Sequence, residues 1–449
     1  MMYLDRDAGD DRDRARHSLA NDSKASASAE MLSWARGSSA VNRLDDATLL
    51  VALGRLPGVG TRTVANVARS FPVLAAVHEE DEAGLVAKVG KRAATPLREG
   101  LATRWAPALA EAERVIERHM TAGITPLPIT DDAYPPLLRL IGDPPPVLYV
   151  RGDLSVVANP KTVAVVGTRD PTPRGMGVAR KIATRFAHGG YVVVSGLATG
   201  IDTAGHEGAL EVGPTVAVLG TALDKIYPAE NRGLAERIEG QGALITEYPL
   251  GDAGRATNFV ARDRIQAGMS LAVIPVQTGL VGGTQHTIRF ATEARRLLLC
   301  PRPLEDEAGA PSYEGIWDLV RGGRAREFAG DDYGDLFEAL RQKRLELEML
   351  AWRQTSLGSH GHRDRRSSRK GKDGPPEGQL TFGSNEVVAA ANAGFFRLGA
   401  LEGDPGPVDM AELLDALESV LDAEAPSLDE AGFGGVVRAL RARRFPERG

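Results

Sequence analysis

Gly167, Thr168 and Arg169 stand directly after an apolar, β-branched run, Val163 to Val166, in the stretch VAVVGTRDPTPRGMG. A strand that ends in a glycine turn and opens a helix presents backbone N–H groups to an anion. The glycine admits close approach of the backbone, the threonine hydroxyl can donate, and the guanidinium offers a fork-shaped charged contact. Neither GxGxxG nor GxxxxGK followed by Ser or Thr is present, so the dinucleotide and Walker readings lack their residues. An arginine without a Walker lysine suits a polyanion held by one charge per phosphate better than a nucleoside triphosphate with its metal.

Three further glycine turns have the same character. SGLATGIDTAGH contributes Ser195, Gly196 and Gly200, and QTGLVGGTQHT contributes Gly282, Gly283 and Thr284. GTALDKIYPAEN lies between them, and NFVARDRIQAGMS adds the cations Arg262 and Arg264. Other residues in these stretches have plainer roles open to them. Asp202 suits a helix cap, Tyr227 and Pro228 suit loop-shaping, and Asn231 suits a cap on the helix that follows. His206 fits a packed structural histidine as well as a ligand contact, and Cys300 ends an apolar strand as a core residue would.

The elements that must position these turns read as strand, turn, helix, repeated. Strands are expected at 163–166, 191–194, 215–219, 243–246, 271–276 and 297–300, separated by amphipathic helical stretches such as GMGVARKIATRFAHGG. That alternation predicts an α/β fold with a Rossmann-like parallel sheet covered on both faces. Ligands of such sheets sit at the carboxyl ends of the strands, where the four turns fall. Residues 1–40 read as a disordered tail and 41–122 as a helical domain. In that domain LPGVG, at 56–60, is either a structural hairpin or a helix-hairpin-helix whose N–H groups hold a phosphate. Seven prolines between Thr125 and Pro146 mark 123–160 as an extended connector. The sheet domain spans 161–303 and a helical extension 304–352. A basic linker, 353–384, contains HRDRRSSRKGK, and 385–449 holds one or two amphipathic helices.

Composition narrows the classes. The chain has 449 residues, 43% apolar and 25% charged, with a net charge of −6, so no global basic field points to nucleic acid. Residues 161–300 alone hold 15 Lys/Arg against 12 Asp/Glu, a local excess of three positive charges. A single cysteine excludes an intramolecular disulfide framework and a cysteine-based zinc site, and fits a reducing cytoplasm. The eight histidines show no metal-ligand spacing, and no stretch is apolar enough for a membrane helix. No metal or cofactor is expected.

The ordered runs YPPLLRLIGDPPPVLYVRGDL, VAVVGTRDPTPRG, VVVSGLATGIDTAGHEGAL, VAVLGTALDKIYPAENRGL, GALITEYPLG and RDRIQAGMS resemble the DNA-processing protein A family (DprA, also called Smf). The resemblance implies an extended Rossmann-like domain behind a helical one, single-stranded DNA binding, homodimerisation, and loading of the recombinase RecA during natural transformation, without catalysis. The family usually has an arginine where Thr199 stands, often a lysine at the position of Ala229, and an asparagine at that of Asp263. All three departures lower positive charge. They leave room for a second reading, a nucleotide-sensing module on the same fold. A phosphoribohydrolase, a third reading, would need a glutamate three residues after Thr284, and Glu293 is too distant.

Overall fold

The structure is a computed structural model that describes residues 38–359 except 253, 304–305, 308 and 331–332, and the side chains of 43–351. The expected N-terminal tail, most of the basic linker and the C-terminal helices lie outside the described residues. One compact unit ends at Phe328 and a second begins at Ala329.

The first unit opens with five helices: α1 (Ser38–Gly54), α2 (Thr61–Ser70), α3 (Glu82–Val89), α4 (Lys91–Thr103) and α5 (Trp105–Thr121). Leu50, Leu53 and Leu56 are buried, as their helical spacing predicts. Gly58 takes φ 76° in the hairpin between α1 and α2, and a Cβ there would stand 3.0 Å from Pro96 of α4. That conformation is strained for any side chain.

A nine-stranded sheet follows, in the order β1-β2-β6-β5-β4-β3-β7-β8-β9. Six strands fall where the apolar runs predict them, within one residue at each end: β3 (Thr162–Val166), β4 (Val192–Ser195), β5 (Thr215–Val218), β6 (Ala243–Thr246), β7 (Ala272–Pro275) and β8 (Leu297–Pro301). All six pair in parallel, with Ala164 opposite both Val194 and Val273. The helices between them are α7 (Pro173–His188), α8 (Ile201–Leu210), α9 (Arg232–Gln241), α10 (Ala256–Met269) and α11 (Gly283–Glu293), after a short α6 (Leu154–Val157). Strand order runs outward from β3 in both directions, so right-handed crossovers put α7–α9 on one face and α11 on the other.

Three strands were not expected. The proline-rich stretch read as a connector forms β1 (Thr125–Pro128) and β2 (Val147–Gly152), antiparallel to each other and, through β2, to β6. Prolines are compatible with β1 because it is the outermost strand. Between the two strands the Tyr134 hydroxyl, fully buried, donates to the Pro145 carbonyl at 2.8 Å. The short β9 (Arg326–Phe328) follows α12 (Glu314–Arg321) and pairs with β8. The second unit contains α13 (Gly334–Ser359).

The helices and the sheet share one hydrophobic core, from Leu50 and Leu97 through Leu148 to Val216 and Ile245. A latch reinforces it. His119 of α5 stacks on Tyr149 of β2, with ring centroids 4.0 Å apart. Its Nδ1 donates to the Val115 carbonyl at 2.6 Å, and its Nε2 accepts from the Leu250 N–H at 2.9 Å. Burial lowers its pKa, which keeps the ring neutral for both bonds. Cys300 is buried as expected, and burial pushes its thiol up to about 12.

Candidate nucleic-acid interface

β3 lies between β4 and β7, so strand order reverses at β3 and a crevice opens at its carboxyl end. The turns carrying Gly167 and Gln277 face each other there, and the Thr168 N–H donates to the Gln277 carbonyl at 2.9 Å. Gln277 also pins the start of α7: its Oε1 accepts from the Thr172 N–H at 3.0 Å. The Thr172 side chain caps that helix through the Gly175 N–H.

The glycines of the crevice serve the packing of its walls. A Cβ on Gly167 would come within 2.5 Å of Ile201, and one on Gly200 within 2.5 Å of the Thr168 carbonyl oxygen. Gly200 has φ 84°, which favours glycine independently. These contacts press the loop after β4 onto the loop after β3 and leave Arg169 at the rim. Arg169 is exposed, and its guanidinium makes no hydrogen bond or ion pair among the described residues. Thr168 Oγ1 accepts from the Asp170 N–H at 3.2 Å, which leaves its own hydrogen free to donate. Gly282 (φ 128°) and Gly283 are exposed at the start of α11, one strand away. Thr284 beside them is 9% exposed, and its hydroxyl makes no hydrogen bond among the described residues.

The other anticipated contacts are engaged inside the protein. Ser195 is fully buried and donates to the Val165 carbonyl at 2.7 Å. Arg264 is 8% exposed and forms a bidentate pair with Glu247, both N–O distances being 2.6 Å. Its Nε donates to the Asp143 carbonyl at 3.2 Å. Arg262 is buried against Gly196, where a Cβ would fall 1.2 Å from Nη1. It is paired with Asp263 at 3.2 Å and Asp202 at 3.9 Å, yet its Nε and Nη1 have no partner in hydrogen-bond geometry. Both arginines therefore brace the crevice from beneath. Asp263 lies within the RDR run, but Glu247 and Asp202 are distant in sequence, so the run discloses only part of the pairing.

Two capping roles also differ from expectation. Asp202 lies in the first turn of α8 but folds back to accept from the Gly196 N–H at 3.0 Å and the Ala198 N–H at 3.4 Å. Asn231 makes no side-chain cap on α9. It donates to the Leu197 carbonyl at 2.8 Å and to Thr203 Oγ1 at 2.9 Å. Leu197 has φ 61°, uncommon for a side-chain-bearing residue, and these bonds hold it there. His206 takes the packed option: it is fully buried with Nδ1 2.8 Å from Thr215 Oγ1, and burial drives its pKa down to about 3.

α10 runs along the carboxyl ends of three strands. Phe259 packs on Gly220 after β5, Arg262 on Gly196 after β4, and Asp263 is close enough to Arg169 after β3 to feel its charge. Burial pushes the Asp263 carboxyl up to about 7, with Arg262 opposing the shift and Asp202 adding to it. Among the described residues no group of His, Cys, Asp and Glu is placed to hold a metal ion.

A doubly wound parallel sheet whose strand order reverses at β3 defines a protein of the Rossmann-like class. A model of the family of DNA recombination-mediator protein A matches residues 125–339. The chain is 32% identical over 235 residues to the DNA processing protein DprA of Bacillus subtilis, spanning 52% of this chain and 77% of that one. It belongs to the DNA-processing protein A (DprA/Smf) family. Protein Smf of Synechocystis is 42% identical over 185 residues, 40% of this chain but only 46% of its own length. A solved DNA processing protein A of Helicobacter pylori, studied for its single-stranded DNA binding mode, is 29% identical, with a TM-score of 0.41; the match covers 45% of this chain and 90% of that one.

Proposed function

We propose that the chain binds single-stranded DNA in the switch-point crevice, protects it, and passes it to the recombinase RecA as a homodimer in the cytoplasm. The observation that carries the binding role is Arg169: an exposed, unpaired guanidinium beside a free hydroxyl and the start of α11. An exposed guanidinium that forms no hydrogen bond or ion pair among the described residues has its donors free for a phosphate oxygen. No helix among the described residues is long and apolar enough to cross a membrane. Catalysis has no part in this reading. Glu293, the nearest carboxylate on α11 for a glycosidic hydrolysis, stands at the helix's far end, roughly 15 Å from Gly283 at 1.5 Å per residue. It pairs there with Arg289.

Arg169→Ala is expected to weaken oligo-dT binding roughly tenfold or more, because a charge-assisted contact is worth about 1.5–3 kcal/mol. Fluorescence anisotropy at two salt concentrations, with mononucleotides as competitors, measures this. Unchanged affinity in a folded variant removes Arg169 from the interface, and saturable mononucleotide competition without salt dependence favours the nucleotide-sensing reading.

Ala229 is exposed in the 3₁₀ turn Ala229–Asn231 after β5. A lysine there adds one cation to the same edge of the sheet. Ala229→Lys is expected to steepen the dependence of log K on log salt by roughly 0.7, the value for one more phosphate on a single strand. An unaltered slope would mean that the strand does not pass this turn.

A further inference from the structure

Tyr227 is the aromatic member of the small set of large apolar side chains that the described residues leave exposed, at 50%. It follows β5 on the same edge of the sheet as Arg169. Its ring lies 5.2 Å from that of Phe259, tilted by 56°. Phe259 is half-buried and fixed from below. It packs on Gly220, where a Cβ would come within 2.8 Å of its Cδ1, so the absence of a side chain at 220 makes room for the ring. The result is a half-exposed tyrosine ring backed by a second ring that α10 carries.

The position relative to the phosphate contact matters. Arg169 follows β3 and the ring pair caps β5, two strands away in the sheet. At about 4.8 Å per strand, the ends of β3 and β5, from which the two turns depart, lie roughly 10 Å apart along the edge. α10 connects them, with Asp263 toward Arg169 and Phe259 under Tyr227. A nucleic-acid strand that puts a phosphate on Arg169 can bring a neighbouring base to this distance. An exposed aromatic ring that is rigidly supported costs little ordering entropy when a base stacks on it, and stacking tolerates any base because each has a π face. Charge alone would admit any polyanion, single- or double-stranded. A ring beside the charge admits only a strand whose bases are free to turn outward.

We propose that Tyr227, supported by Phe259, is a nucleobase-stacking platform that makes the crevice selective for unpaired bases over phosphate chains in general. The proposal rests on the reading that the crevice holds DNA. It is tested on the full chain with three probes of equal length: oligo-dT, an abasic deoxyribose-phosphate oligomer, and the oligo-dT annealed to its complement. Oligo-dT is expected to bind more tightly than the other two, by roughly tenfold per stacked base. Tyr227→Ala is expected to remove about that factor for oligo-dT, leave the abasic oligomer unaffected, and leave the salt slope unchanged, since no charge is lost. Tyr227→Phe, which keeps the ring, is expected to bind as the parent chain does and controls for misfolding. Equal binding of oligo-dT and the abasic oligomer by the parent chain overturns the platform while leaving the crevice a DNA site. Equal oligo-dT affinity for Tyr227→Ala and the parent chain does the same. A parent chain that binds none of the three probes overturns the reading of the crevice, and the platform with it.

Discussion

Replacing Arg264 with methionine is expected to lower the stability of the sheet unit by about 3–5 kcal/mol, the usual cost of breaking a buried ion pair from one side. The side chain joins three separate pieces of the fold. Its fork grips the Glu247 carboxylate just beyond β6, its Nε reaches the Asp143 carbonyl ahead of β2, and its Nη1 returns to the Ala261 carbonyl within α10. The Glu247 side chain is only 13% exposed, and without the arginine it loses its principal counter-charge. Methionine fills similar volume, so the loss reports the charge and not a cavity. Lysine cannot reproduce the two parallel bonds, and Arg264→Lys should recover only part of the deficit. Urea denaturation followed by circular dichroism measures the difference. A loss below 1 kcal/mol would show that Glu247 finds water or another donor when its partner is removed. Oligonucleotide affinity per folded molecule should remain close to that of the parent chain, because Arg264 is buried and four of its five N–H groups are engaged inside the protein.

Asp263→Asn is expected to stabilise the protein above neutrality, by an amount of the order of 2–4 kcal/mol, and to have little effect near pH 4. The folded protein raises this carboxyl from an ordinary 3.8 to about 7, chiefly by burial. Below pH 4 the group is protonated whether the chain is folded or not, and contributes nothing. Between pH 4 and 7 the unfolded chain releases the proton while the folded chain retains it, so stability falls as pH rises. Above pH 7 the full cost of a buried carboxylate next to Asp202 is present, offset in part by Arg262 and Arg169. Asparagine carries no such cost at any pH. Thermal melts of parent and variant between pH 4 and 9 should therefore diverge as pH rises, and parallel curves would place the titration elsewhere. The same substitution removes negative charge beside Arg169, so oligo-dT binding at pH 8 should also tighten.

Much of this architecture is readable in the chain because parallel strands buried on both faces are written as continuous apolar runs. Val163 to Val166 and Ala243 to Thr246 announce their strands without reference to anything distant. The glycine turns are equally local, since Gly200 and Gly282 need their backbone angles whatever surrounds them. β1 was hidden because Pro126 and Pro128 oppose a strand everywhere except at an outer edge, and edge status is a property of the whole sheet. β9, three residues long with a half-polar pattern, has too little sequence to register a period. The burial of the arginines of the RDR run is hidden for a related reason. Whether a cation faces solvent or an acid depends on Asp202 and Glu247, which α10 meets only after the crossover from β6 to β7 is complete. Asn231 and Asp202 carry the residue types of helix caps and stand at helix starts. What redirects them is the Leu197 loop, and nothing near either residue in sequence reveals its backbone angle.

The pairing of β1 also determines how this protein meets copies of itself when crowded. Thr125 and Leu127 alternate with Pro126 and Pro128 along the strand, and the N–H of Ile129, in phase with the first pair, points inward to the Pro146 carbonyl. The outward positions are then the two prolines, which have no N–H to give. A strand seeking to extend the sheet would find acceptors on that margin but no donors. The opposite margin is β9, too short to template a partner. Both rims of a nine-stranded sheet are thus closed to further growth by backbone pairing, one by chemistry and one by length. Self-association of this unit must accordingly proceed through side chains on its faces, and a filament built by adding strand to strand is not available to it.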